Sequence, residues 1–162
     1  MVQQNFLSPT GFRFNVKRLP NISFFVQSIN VPGVSMNPDE TPTPFTTMFR
    51  LGDRLTYDDL TLTIRSDENL DAFIEIYEWM QSGTKASGFA AYKTIKDSDD
   101  GLYSDGTLMV LNSKKNSNKI FTFKDMFPTT LSSIAMDATP SDISYATFDV
   151  TFKYNTYTIE TI

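Results

Sequence analysis

Apolar and polar residues alternate with a period of two along several stretches of this chain, which predicts strands with one buried face. Phe12, Phe14 and Val16 alternate with Arg13, Asn15 and Lys17. Phe45, Thr47, Phe49 and Leu51 alternate with Thr46, Met48 and Arg50, and Leu60, Leu62 and Ile64 alternate with Thr61 and Thr63. Between these last two lies Gly52-Asp53, a turn dipeptide because glycine admits positive φ and aspartate can bond its own backbone. The two runs therefore read as a hairpin. Ile22 to Val31 reads as a further strand, apolar enough at Phe24, Phe25 and Val26 to be largely buried, and ended by Pro32-Gly33. Residues 35–44 hold three of the eight prolines and read as a loop or extended arm.

The second half carries more of the same pattern. Thr107 to Leu111 and Ile120 to Lys124 flank the turn sequence KKNSN and predict a hairpin. Met126-Phe127-Pro128-Thr129-Thr130 is expected to break it, Leu131 to Met136 to form a short strand, and Asp137 to Asp142 a turn. A long last strand spans Ser144 to about Ile159, with Phe148, Val150, Phe152 and Tyr154 on one face. One helix is predicted, from Glu68 to Gln81. Leu70, Phe73, Ile74, Tyr77 and Met80 form its apolar stripe, Ser66-Asp67-Glu68 offers caps, and Ser82-Gly83 stops it. Trp79, near its end, is expected to pack in the core or at an interface. Residues 85–106 read as a surface excursion with at most a short turn of structure. About eight strands and one helix, with strands following strands, predict a mainly β (β+α) fold. The expected architecture is an antiparallel β-barrel or sandwich with one flanking α-helix, in a single domain over residues 1–162.

Composition narrows the chemistry. The chain has no histidine and no cysteine, so the usual zinc sites, Cys-His dyads and Ser-His-Asp triads cannot be built. Its formal charge is −5, and no Lys/Arg run is long enough for a phosphate-binding stripe. No apolar run approaches the roughly 20 residues that cross a bilayer, and MVQQNFLSPTG lacks the charged start and apolar centre of a signal peptide. Neither membrane insertion nor secretion by the general route is expected. Asp97-x-Asp99-Asp100-Gly101 has the wrong ligand spacing for a calcium loop, with Leu108 where a closing glutamate belongs. Asp58-Asp59, if on a strand, would point to opposite faces and not converge on a substrate. Lys114, Lys115 and Lys119 read as a solvated hairpin tip. No catalytic, cofactor or metal site is expected, and the chain does not read as an enzyme.

Gly52-Asp53-Arg54, Tyr57-Asp58-Asp59, Thr61-x-Thr63 and Asp67-Glu68 together resemble the central signature of the tail tube proteins of contractile-tailed bacteriophages. Asn5-Phe6, the strand of Phe14 and Val16, and Gln27 with Val31-Pro32-Gly33 resemble that family's opening. A helix ending near Trp79, then Phe127-Pro128-Thr129 and Thr147-Phe148-Asp149-Val150-Thr151-Phe152, is similar to the rest of it. The phenylalanine-rich Ile22–Val26 segment and the acidic loop Asp97–Asp105 depart from the pattern. The resemblance implies a small barrel with a flanking helix, assembling as homo-hexameric rings stacked into a hollow tube within a sheath. It also implies sheath and baseplate partners, and DNA passing through the bore without specific binding. The location implied is the phage tail, after assembly in the host cytoplasm. A baseplate protein that starts the tube and the tube protein of a type VI secretion system share the fold and are the alternatives. Within this reading Phe45, Thr46, Met48, Arg50, Arg54, Asp58 and Asp59 are the expected inter-subunit contacts. Arg54 could pair with Asp58 or Asp59, locally or across subunits.

Overall fold

A computed structural model describes residues 6–84, 88–97, 101–137 and 145–162. Eleven strands and three helices occur among them. In chain order they are β1 (Phe12–Val16), α1 (Ile22–Phe25), β2 (Val26–Ile29), β3 (Val34–Met36), β4 (Asp39–Pro42), β5 (Thr47–Arg50), β6 (Leu55–Tyr57) and β7 (Leu60–Arg65). After these come α2 (Asp71–Gly83), α3 (Phe89–Lys96), β8 (Ser104–Leu111), β9 (Ser117–Leu131), β10 (Thr147–Lys153) and β11 (Thr156–Thr161). The main sheet is antiparallel in the order β1-β8-β9-β10-β7-β2, with β11 on β9. The fold is mainly β, as the alternation predicts. Its sheet does not close into a barrel: β1 and β2 stand at the two ends of the strand order.

The inward positions are those the period of two selects. Phe14 and Val16, Leu60, Leu62 and Ile64, and Phe148, Val150 and Phe152 are all buried. Leu108, Phe123 and Met126 complete the sheet side of the core, and α2 covers it with Ala72, Ile76 and Trp79.

Four expectations need correcting. The Ile22–Val31 segment is not one strand, because the chain must cross from β1 at one end of the sheet to β2 at the other. A helical turn makes that crossing, burying Ile22 and leaving Phe24 85% exposed. The helix begins at Asp71, not Glu68. Leu70 sits at φ 60°, and the Asp67 carboxylate accepts from the Asp71 N–H at 3.1 Å. Its core face is Ala72, Ile76 and Trp79, so Ile74 and Tyr77 of the predicted stripe point outward. Trp79 decides this rotation: its ring is the largest apolar surface on the helix, and its buried N–H donates to the Leu102 carbonyl at 3.1 Å. A second full helix, α3, lies where only a short turn was expected.

The fourth correction concerns β9, which runs through the expected break at Met126–Thr130. Proline is tolerated in strands at bulges, and the register slips by one opposite Pro128, leaving Thr129 as the extra residue. Leu131–Met136 consequently forms no strand beyond Leu131. The expected turn at Asp137–Asp142 lies largely outside the described residues, as do Asp99 and Asp100. The last strand is divided as β10 and β11, yet both pair with β9, and past the bulge one register holds from Phe152↔Pro128 to Thr161↔Lys119.

Asp125, where the β8–β9 register shifts, sits at φ 54°. Asp105 holds it there, accepting from the Asp125 N–H at 3.3 Å and from the Lys124 ammonium at 2.6 Å. That ammonium is the main reason the Asp105 carboxyl titrates below its ordinary value, and the carboxylate in turn raises Lys124. A lowered carboxylate stabilises the fold above its ordinary pKa and stops doing so as pH falls through the lowered value. A raised lysine contributes below its ordinary pKa and stops as pH rises through the raised one. Asp105→Asn should therefore lower the melting midpoint by a constant amount between about pH 5 and 9. The gap to wild type should close in acid. Both side chains are about half exposed, so solvent screens the pair and the expected loss is small.

Candidate functional site

Residues 34–57 leave the sheet as a hairpin arm. β3 pairs with β6 in the register Val34↔Tyr57 to Met36↔Leu55, and β4 pairs with β5 from Asp39↔Arg50 to Pro42↔Thr47. The turn is therefore at residues 43–46, not at Gly52-Asp53, and of the loop or extended arm expected at residues 35–44 the arm is what forms, as one limb of the hairpin. Thr43 makes that turn: its N–H and hydroxyl both donate to the Thr46 carbonyl, and its hydroxyl oxygen accepts from the Thr46 N–H at 3.2 Å. This is side-chain turn chemistry of the kind threonine can supply. Gly52 has a different task. It lies against the opposite limb, where a Cβ would stand 1.8 Å from the Asn37 carbonyl oxygen.

The arm's base is firmly tied. The Asp58 N–H donates to the Gly33 carbonyl at 3.0 Å, and the Tyr154 hydroxyl donates to the Asp58 carbonyl at 2.9 Å. Asp59 pairs with Lys153 at 3.0 Å. The Tyr57 ring packs on those of Tyr154 and Tyr157, with centroids 5.9 and 5.4 Å away, and both of those rings rest on buried Phe123. Burial pushes the Tyr154 phenol well above its ordinary pKa, with neighbouring tyrosines and the Asp58 and Asp59 carboxylates adding to it. It stays a hydrogen-bond donor throughout the neutral range.

The far end is different. β5 is exposed along its whole length, and Phe45 is 98% exposed, Leu51 82%, Phe49 66% and Met48 55%. Residues 41–49, TPTPFTTMF, contain no charge. Four large apolar side chains on a projection with both faces in solvent form a surface of the kind that marks a protein–protein contact.

Of the residues selected from sequence, Phe45, Thr46, Met48 and Arg50 lie together on the distal arm, in its turn and on β5. Arg54 follows on the same limb, and no ion pair to Asp58 or Asp59 forms among the described residues. Asp58 and Asp59 lie in the junction between β6 and β7 and anchor the arm's base, so they are not on a strand at all. Sequence reasoning missed the pairing partner of β5, residues 39–42, and the anchoring tyrosines. The Thr-Pro repeats at 41–44 were the available signal for the turn.

No group of histidine, cysteine, aspartate or glutamate among the described residues could hold a metal ion, and no helix among them is long and apolar enough to cross a membrane. The profile of the phage tail tube protein family matches residues 3–160. The chain belongs to the phage tail tube protein family. That family is structural, not enzymatic.

Solved structures of similar fold agree with the family assignment. A chain of the extended sheath–tube complex of an extracellular contractile injection system (PVC) superposes with a TM-score of 0.70 at 15% identity, covering 99% of this chain and 95% of that one. A chain of the anti-feeding prophage cap, which terminates the tube, gives 0.70 at 17% identity, covering 100% and 95%. A type six secretion system protein gives 0.54 at 10% identity, covering 93% and 82%. No curated protein sequence matches the chain. The tail tube family thus accounts for nearly the whole chain, the arm included.

Proposed function

We propose that this tail tube protein is the repeated tube subunit of a contractile tail, assembling into homo-hexameric rings that stack into a hollow tube through which phage DNA leaves. The observation that carries the reading is the exposed, apolar, firmly rooted arm within a chain matched by the tube family over residues 3–160. A projection whose distal strands pair only with each other among the described residues, and whose apolar side chains are exposed, finds its complement in a copy of that chain. Like subunits joined by such heterologous contacts form rings, and rings stacked with a twist form an open helical assembly.

Phe45, Thr46, Met48 and Arg50 are the inter-subunit contacts in this reading, with Arg54 free to meet an acidic group of an adjacent copy. Asp58 and Asp59 contribute by fixing the arm's base. The acidic balance suits a conduit: a net charge of −5 and no basic stripe leave passing DNA little to adsorb to. Sheath and baseplate proteins are the expected further partners, in the phage tail. The likeness to chains of a tube cap and of a type six secretion system keeps a tube-end protein and a secretion tube as second readings.

Met48→Asp tests the assignment. Met48 is 55% exposed, so a carboxylate there leaves the monomer's stability within about 0.5 kcal/mol of wild type. The same carboxylate would be desolvated in a subunit contact, and polymerisation is expected to fail. Light scattering and negative-stain microscopy read the outcome. Tubes of normal length from the variant would remove the arm from the assembly mechanism.

A further inference from the structure

Beside α2 runs a groove of unusual construction. One wall is the outer face of the helix, with Phe73, Tyr77, Met80 and Thr84, and the other is the end of β9, with Thr129 and Leu131. Over this stretch β9 has, among the described residues, a strand neighbour on one side only. β8 pairs with β9 no further than Met126, so from Phe127 to Leu131 the sole strand partner among the described residues is β10. The opposite edge of β9 has no strand partner among the described residues there, and Thr129–Leu131 line the groove. An adjoining cavity that shares Met80, Thr84 and Thr129 is lined by Tyr103, whose ring packs edge-on against Phe127 with centroids 5.7 Å apart. An open strand edge flanked by a helix is the arrangement that accepts an extended segment by strand addition, main chain to main chain, with side-chain pockets setting the choice.

The groove carries no charged residue along its helix wall or its strand wall, in a chain of which 20% is charged. The arm matches it on every count. Residues 41–49 are uncharged, apolar side chains recur along them, and among the described residues β4 and β5 pair only with each other, leaving each one open edge. Both surfaces have unpaired strand backbone, and an open edge is a hazard until something covers it.

We infer that the groove between α2 and the open edge of β9 receives the distal arm of a second copy of this chain, the arm adding as a strand to Thr129–Leu131. This rests on the tube-subunit reading and assigns the surface on which its arm docks. Tyr77, half exposed on a helix otherwise anchored by Trp79, is the side chain positioned to cover the incoming Phe45 or Phe49.

The absence of native cysteine allows a clean test. Thr46→Cys and Thr130→Cys are placed in one chain, with Thr46→Cys and Thr158→Cys as the control pair, since Thr158 lies on β11 away from the groove. On mild oxidation of assembled tubes the first pair should crosslink copies into a ladder, roughly a hundredfold faster than the control, as held proximity replaces collision. If the paired variant does not assemble, the two single variants are co-assembled in an excess of wild-type protein and oxidised in the same way. Tubes without the Thr46–Thr130 crosslink would overturn the docking assignment and leave the tube reading standing. A Leu7→Cys–Thr130→Cys crosslink in its place would give the groove to the N-terminal segment instead. Wild-type protein that forms no ring or tube would overturn both.

Discussion

Phe152→Ala is expected to destabilise the monomer by about 3–5 kcal/mol, a large share of the stability of a domain this size. Phe152 is fully buried on β10, opposite Leu60 of β7 on one side and Pro128 of β9 on the other. Its ring lies 6.2 Å from that of Trp79. Truncation removes apolar surface from the point where the sheet meets α2, and the rigid strands on either side cannot collapse into the space. Phe148→Ala, against Phe73 at 5.3 Å, should cost a similar amount. Denaturation by guanidinium, followed by far-ultraviolet circular dichroism, measures both. Midpoints close to wild type would mean that β10 is not the central strand of the core.

Gly52→Ala should separate assembly from folding. A methyl group there meets the Asn37 carbonyl oxygen at 1.8 Å, a separation that no relaxation of a side chain can relieve, so the limbs of the arm must part. The buried core lies in other elements, and the thermal midpoint should move little. If the arm is the contact proposed above, the critical concentration for tube formation should rise at least about tenfold, equivalent to 1.4 kcal/mol of contact energy. Concentration-dependent sedimentation gives this directly. Assembly of Gly52→Ala at the wild-type concentration would show that arm geometry has no part in the tube. Met48→Asp acts on the same arm through charge and not through shape, so the two substitutions fail independently.

Several features of the molecule are legible in single stretches of sequence because they depend on local periodicity. Alternation selects the inward faces of β1, β7 and β10, since a strand buries every second residue whatever its partner. The turn around Lys114–Asn118 pairs its flanking strands because the two runs are adjacent. A lack of histidine and cysteine removes whole classes of chemistry without reference to any fold. Alternation marks a strand without naming its partner. On sequence Thr47–Arg50 pairs, through the turn-like Gly52-Asp53, with the strand after it. In the structure it pairs with the limb before it, and Gly52 is there for close approach.

What the sequence alone determined about this protein is which residues are apolar on alternate positions, that strands dominate, and, through spaced motifs, its membership of a tube family. Only the tertiary structure decided which strands meet, that the sheet stays open, how α2 is rotated, and that residues 34–57 stand away from the core. The reason is range. A period of two is set by the backbone of one strand, but pairing, the rotation of a helix around Trp79 and an open edge on β9 depend on residues tens of positions apart. Their energies enter only when the chain has closed upon itself.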